Sequence, residues 1–92
     1  MTDPKGPTMD RWRGCVADYI DLRYVAANPT ERLVAREASY QLRFGRVMDL
    51  PPKVRACLRR MDKKKATRRM FARAAEAMIV SAAKAVAKYE YA

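Results

Sequence analysis

The stretch from Pro51 to Arg73, PPKVRACLRRMDKKKATRRMFAR, most constrains how this chain can fold. It carries ten basic residues and one acid, Asp62. Apolar residues recur through it at helical spacing, namely Val54, Cys57, Leu58 and Met61 before Asp62, and Met70, Phe71 and Ala74 after the lysines. This spacing predicts helices with one apolar face rather than a disordered basic tail. The cationic outer face in turn predicts an anionic partner.

The whole sequence predicts an all-α fold, a small bundle of about four helices. Asn28-Pro29-Thr30-Glu31 is a helix start signal, with Asn at the N-cap, Pro at the first helical position and Glu at the third. No run alternates with period two, so no strand is predicted. Asp62 is expected to cap or turn the chain before the last helix. The predicted helices cover residues 9–27, 29–44, 51–61 and 66–89 of a single domain, 9–92, that follows a loose N-terminal arm, 1–8.

Apolar residues spaced by three and four predict the buried face of each long helix. On the first helix they are Trp12, Cys15, Val16, Tyr19 and Ile20. On the second they are Leu33, Val34, Ala38, Leu42 and Phe44, and Gly45 ends the helix. On the fourth they are Met70, Phe71, Ala74, Met78, Ala82, Ala85, Val86 and Tyr89, where the alanines would let another helix approach closely.

The composition argues against an enzyme. The chain has no histidine, which removes the commonest general base and the commonest metal ligand. It also has no glycine-rich phosphate loop and no nucleophile elbow. With 92 residues and a formal charge of +10, its core is thin and its charges repel one another. We therefore expect a subunit without catalytic activity or cofactor, stabilised by a counter-charged partner.

Cysteine use and targeting signals add two expectations. Cys15 and Cys57 have no second cysteine nearby, so we expect buried reduced thiols or one disulfide between packed helices. The longest uncharged apolar run, 77–83, is far shorter than the ~20 residues that cross a membrane. The N-terminal MTDPKGPTMD resembles neither a signal peptide nor a transit peptide. An organellar location would then require either a presequence that has already been removed or a targeting signal inside the mature chain.

The basic cluster has three interpretations that charge alone cannot separate. It can be a solvated face, although Lys63, Lys64 and Lys65 with Arg68 and Arg69 place five cations within seven residues, which repel one another unless anions screen them. It can bind RNA phosphates, with an affinity that falls with salt. It can also bind an acidic protein surface or anionic lipid headgroups. Phe71 is the one aromatic residue in the stretch, and its place on the apolar face favours packing over base stacking.

Two arginine motifs carry a resemblance to a known family. Arg59-Arg60-Met61 and, at similar spacing, Arg69-Met70-Phe71 resemble motifs of the small matrix-side, ubiquinone-binding subunit of ubiquinol–cytochrome c reductase, respiratory complex III. Residues 42–50 and 87–90 are similar to further segments of that family, and Trp12 and Tyr19 to its aromatic first helix. The resemblance covers about residues 42–90.

The resemblance implies an all-helical, cofactor-free accessory subunit, peripheral on the matrix face of the mitochondrial inner membrane. Its partners would be cytochrome b and the core subunits, which carry out electron transfer from ubiquinol to cytochrome c. Together with the basic face, it predicts docking through Arg59, Arg60, Lys63, Lys64, Lys65, Arg68, Arg69, Phe71 and Arg73. The alternative hypothesis is an RNA-binding structural subunit of a mitochondrial ribosome. A helical assembly protein for some other partner is the third.

Overall fold

The fold is an arrangement of four α-helices. The computed structural model describes residues 6–90, with side chains for 10–89, and this part of the chain contains no strand. The helices are α1 (Gly6–Arg23), α2 (Pro29–Phe44), α3 (Pro52–Lys63) and α4 (Arg68–Glu90), with a short 3-10 turn at Val47–Asp49. The all-α prediction is confirmed.

The second helix has the bounds that its sequence predicts. The Asn28 side chain accepts a hydrogen bond from the backbone N–H of Glu31 at 2.8 Å, so it caps the helix as expected. At the other end, the Gly45 N–H donates to the Gln41 carbonyl at 2.9 Å. Gly45 does not adopt the left-handed conformation common after helices, since its φ is −75°. Glycine is required there because the site is too crowded for a side chain: a Cβ would lie 2.6 Å from the Gln41 carbonyl oxygen.

The other helix ends differ from prediction by a few residues. Helix α1 begins at Gly6, within the predicted arm, and ends at Arg23, after which residues 24–27 form a turn. The rest of the predicted arm, 1–5, lies outside the described residues. The expectation that Asp62 caps or turns the chain was wrong, because α3 continues through Asp62 to Lys63. Thr67 starts α4 instead, and its hydroxyl accepts a hydrogen bond from the Met70 N–H at 3.3 Å.

Helix α1 contacts each of the other three helices, and so does α4. The alanines at 74, 75 and 82 are buried and allow the other helices close to the backbone of α4. The connector between α3 and α4 is only residues 64–67, so the two helices lie side by side as a hairpin. The fully buried side chains of the core include Val16, Ile20, Leu42, Val54, Leu58 and Met78.

Several residues predicted to face the core lie at its edge or on the surface. Leu33, Phe44 and Tyr89 are exposed. Trp12, Tyr19 and Phe71 are partly buried and pack together, with the Phe71 ring centroid 6.0 Å from that of Trp12 and 5.9 Å from that of Tyr19. Cys15 and Cys57 are both free and only half-buried. The two cysteines are not joined in a disulfide here, and the expectation that both thiols are buried was wrong, because each is only half-buried.

Two arginines tie α1 to α2. Arg13 is 8% exposed; its Nε donates to the Leu42 carbonyl at 2.7 Å and its Nη2 to the Gly45 carbonyl. A cation thus meets the carbonyl end of α2, where the helix dipole favours it. Arg43 pairs with Asp18 at 2.5 Å and with Asp21 at 3.0 Å.

Candidate docking surface

Ten cations between Lys53 and Arg73 form the basic surface of the protein. They lie on α3, on the connector and on the first turns of α4. Nine are exposed, and Arg55 is half-buried. Within residues 10–89 none of the ten takes part in an ion pair, whereas the acids Asp10, Asp18, Asp21 and Asp49 all pair with arginines outside this surface. The positive charge of the basic surface is thus not neutralised within the described chain.

The fold brings the predicted docking cations together at one end of the α3–α4 hairpin. Arg59, Arg60 and Lys63 lie on the second half of α3, Lys64 and Lys65 on the connector, and Arg68, Arg69 and Arg73 at the start of α4. All eight are exposed. The environment of Phe71 differs from that of the cations, because its ring packs against Trp12 and Tyr19.

Helix polarity strengthens the positive field at the connector. The first turn of α4 contains no acid and begins with Arg68 and Arg69. A helix N-terminus carries partial positive charge, so cations there are unfavourable by a few tenths of a kcal/mol each unless anions are near. Arg60 and Lys63 lie in the last turn of α3, where the dipole favours them. The connector therefore lies between cations that the dipole of α3 stabilises and cations that the dipole of α4 destabilises.

A long open groove, the α3–α4 groove, runs along the hairpin. Its part nearer the connector has a volume of about 720 Å³ and includes Arg60 and Arg73 on its sides. Its part nearer Pro51 has a volume of about 630 Å³ and includes Arg55 and Lys84. Lys53, Ala77 and Val80 line both parts, so the two parts adjoin one another. Its floor is apolar and its rim is mostly cationic.

Arg55 adds an unsatisfied donor to this groove. Its Nε is buried and makes no hydrogen bond within the described residues. A buried polar atom without a partner destabilises the protein, so a rearrangement of Arg55 that gives this nitrogen an acceptor would be favourable.

A second surface, between α2 and the end of α4, is apolar and nearly neutral. It is a shallow depression of about 490 Å³ lined by Leu33, Arg36, Glu37, Tyr40, Val86 and Tyr89. The Tyr40 and Phe44 rings lie 5.2 Å apart beside it. Its one arginine and one glutamate balance each other, so this surface has no preference for an anionic partner.

Two aspartates of α1 are held by an arginine of α2. Asp18 and Asp21, three residues apart on α1, are the acidic pair that an acid–base mechanism would use, but Arg43 binds both carboxylates. The hydrogen bond with Asp21 raises the pKa of Arg43, partial burial opposes this, and Asp18 adds to it. Within the described part of the chain no three His, Cys, Asp or Glu side chains are grouped to hold a metal ion. No helix among residues 6–90 has the length and apolarity to cross a membrane.

Sequence reasoning missed the groove residues outside the predicted cluster. Following the predicted Arg73, the missed Ala77, Val80 and Lys84 recur at four, three and four residues along α4. Lys53, Cys57 and Arg60 recur likewise along α3. These spacings place each set on one helix face, which was a usable signal. That the two faces meet depends on the packing of the helices, which the spacing does not specify.

Comparison with known proteins gives no relative: no family model, no curated protein and no solved structure matches this chain.

Proposed function

We propose that this chain is a non-catalytic helical subunit that docks on a larger assembly through its basic surface. The observation that supports the proposal is the separation of charge. The cations from Lys53 to Arg73 have no acidic partner within the described residues, although other arginines of the same chain pair with acids. Like charges held this close on a folded hairpin are stabilised when an anionic surface covers them.

The assembly we propose is respiratory complex III, with the chain peripheral on the matrix side of the mitochondrial inner membrane. The support for this identity is the resemblance of Arg59-Arg60-Met61 and Arg69-Met70-Phe71 to the small matrix-side subunit. The arginines of both motifs are exposed and so can contact cytochrome b, the core subunits or anionic lipid headgroups. Electron transfer from ubiquinol to cytochrome c would belong to those neighbouring subunits.

An RNA-binding subunit of a mitochondrial ribosome is the second candidate. The observation that favours it is the density of exposed cations around the connector, from Lys63 to Arg69. Phosphates would neutralise such a cluster well. Reading of bases is less favoured, because the Phe71 ring packs against Trp12 and Tyr19 and is not free to stack on a base.

Isolation from native cells separates the two candidates. The chain would be tagged, isolated in mild detergent and resolved on a native gel with identification of the comigrating species. Comigration with cytochrome b and ubiquinol-oxidising activity is the result expected for complex III. Comigration with ribosomal RNA at low salt that is lost at high salt would assign the same arginines to phosphates instead.

A double charge reversal tests the docking surface itself. We expect Arg59→Glu with Arg69→Glu to abolish most of the comigration while helix content by circular dichroism stays unchanged, since both side chains are exposed. The matched control is Arg11→Glu with Arg32→Glu, two exposed arginines outside the basic surface that change the net charge equally. Equal loss with both variants would contradict a localised docking surface, and loss of helix content would mean that the arginines support the fold.

A further inference from the structure

We propose that the α3–α4 groove binds an acidic amphipathic helix of a partner protein. The inference rests on the docking function proposed above and specifies the partner at one part of the basic surface. The groove combines three features that point to this occupant: a cationic rim, an apolar floor of mostly small side chains, and cations two helical turns apart on α3.

The rim requires acids on the partner. Lys53, Arg60, Arg73 and Lys84 line the groove, and Glu76 is its one acid apart from Asp49 near Pro51. None of the four cations forms an ion pair within the described residues. The buried Nε of Arg55 is a further donor without an acceptor in the same groove. Charge complementarity therefore favours a partner with carboxylates.

The floor favours a protein helix over RNA. Ala56, Cys57, Ala77 and Val80 form it, and Val80 is 57% exposed. Small side chains let a third helix approach to the usual 8–10 Å between packed axes, and its apolar face would cover the floor. No aromatic side chain lines the groove, so a base would find no ring to stack on. Phosphates could pair with the cations of the rim, but a backbone lying on the apolar floor would lose hydration there without gaining polar contacts.

Spacing on α3 predicts the pattern of the partner helix. Lys53 and Arg60 are seven residues apart, which is about 10 Å along a helix. A helix lying along the groove meets both cations when its own acids are also two turns apart. Apolar residues at the third and fourth positions between those acids would lie on the same face and rest on Ala77 and Val80.

A synthetic helix tests this arrangement. The probe is a fluorescein-labelled peptide of about sixteen residues, ~24 Å as a helix, with glutamates two turns apart and leucine and alanine between them on the same face. Its control peptide has the same composition, with one glutamate moved two positions onto the opposite face. We expect fluorescence anisotropy to show that the ordered peptide binds about tenfold more tightly than the control peptide. Equal affinity for the two peptides would mean that charge alone attracts them and would overturn the proposal that the groove binds a helix.

Substitution of the floor locates the binding. Val80→Asp should remove the preference for the ordered peptide, because it places a carboxylate against the apolar side of the bound helix. The same change at Val25, which is 70% exposed in the turn after α1, should leave the preference intact. No effect of Val80→Asp would overturn the proposal. So would an oligouridylate that binds more tightly than the ordered peptide and is weakened by Val80→Asp, since it would assign the groove to nucleic acid.

The failure of this inference can be distinguished from failure of the docking function. If the Val80→Asp variant comigrates with the native assembly to the same extent as the Val25→Asp variant, the groove is not the binding site, but the docking function stands. If the unmodified chain comigrates with no assembly, the docking function fails, whichever peptide the groove prefers.

Discussion

At the scale of single residues, local signals were readable in the sequence and long-range roles were not. The cap at Asn28 depends on residues three positions apart, so its residue types alone predicted the hydrogen bond to Glu31. Arg13 is different, because its partners, the Leu42 and Gly45 carbonyls, are 29 and 32 residues away. Its position on the face of Val16 and Ile20 was a hint that it lies inward. Nothing local identified which carbonyls it would bind.

Replacing Arg13 should destabilise the protein more than replacing any exposed arginine. Arg13→Met keeps much of the apolar stem but leaves the carbonyls at the end of α2 without their charged donor. We expect the free energy of unfolding to fall by about 2–3 kcal/mol in urea titrations followed by circular dichroism. The control is Arg32→Met on the exposed side of α2, with an expected change within about 0.5 kcal/mol. Equal effects would mean that Arg13 contributes only its charge.

At the scale of helices, the helix types, their centres and the ends of α2 were predictable, whereas the boundary between α3 and α4 depended on tertiary contacts. Asp62 has the residue type of a cap, yet α3 continues past it because Met61 reaches the core and holds that turn in helix. Thr67 then takes the capping role four residues before Phe71, which packs against α1. Asp and Thr are both favourable N-cap residues, so tertiary packing decides which of them begins the next helix.

Two glycines, each associated with one helix, should respond oppositely to the same substitution. A Cβ at Gly14 in α1 would meet nothing within 4 Å, so Gly14→Ala should raise the free energy of unfolding by about 0.5–1 kcal/mol through the lost flexibility of the unfolded chain. A Cβ at Gly45 would lie 2.6 Å from the Gln41 carbonyl, so Gly45→Ala should lower it by about 1–3 kcal/mol. Thermal unfolding of both variants measures this, and stabilisation by Gly45→Ala would show that α2 does not end as described.

At the scale of the whole molecule, the sequence predicted that the cations would be exposed but not how they would be distributed. The predicted docking cations lie together because α3 and α4 form a hairpin with a short connector. The groove could not be predicted, because it depends on which faces of α3 and α4 pack against each other and which stay uncovered. Helix order and lengths allow other arrangements, and the choice among them is made by side-chain packing across the core.

The excess of positive charge should make the stability of the free protein rise with salt. Raising NaCl from about 20 mM to about 500 mM screens repulsion among the basic surface cations, while the few ion pairs near α1 lose less because partners in contact are screened less. We expect the free energy of unfolding to increase by an amount on the order of 1 kcal/mol, which corresponds to roughly 4–8 °C in Tm. Replacing Lys63, Lys64 and Lys65 by glutamine should remove about half of that increase, because these consecutive cations repel one another and the nearby Arg68 and Arg69. The control replaces Arg11, Arg32 and Lys88, three exposed cations outside the basic surface, by glutamine and so changes the net charge equally. If both triple variants flatten the salt dependence to the same degree, the repulsion belongs to the net charge of the molecule, and the basic surface holds no concentrated field for a partner to neutralise.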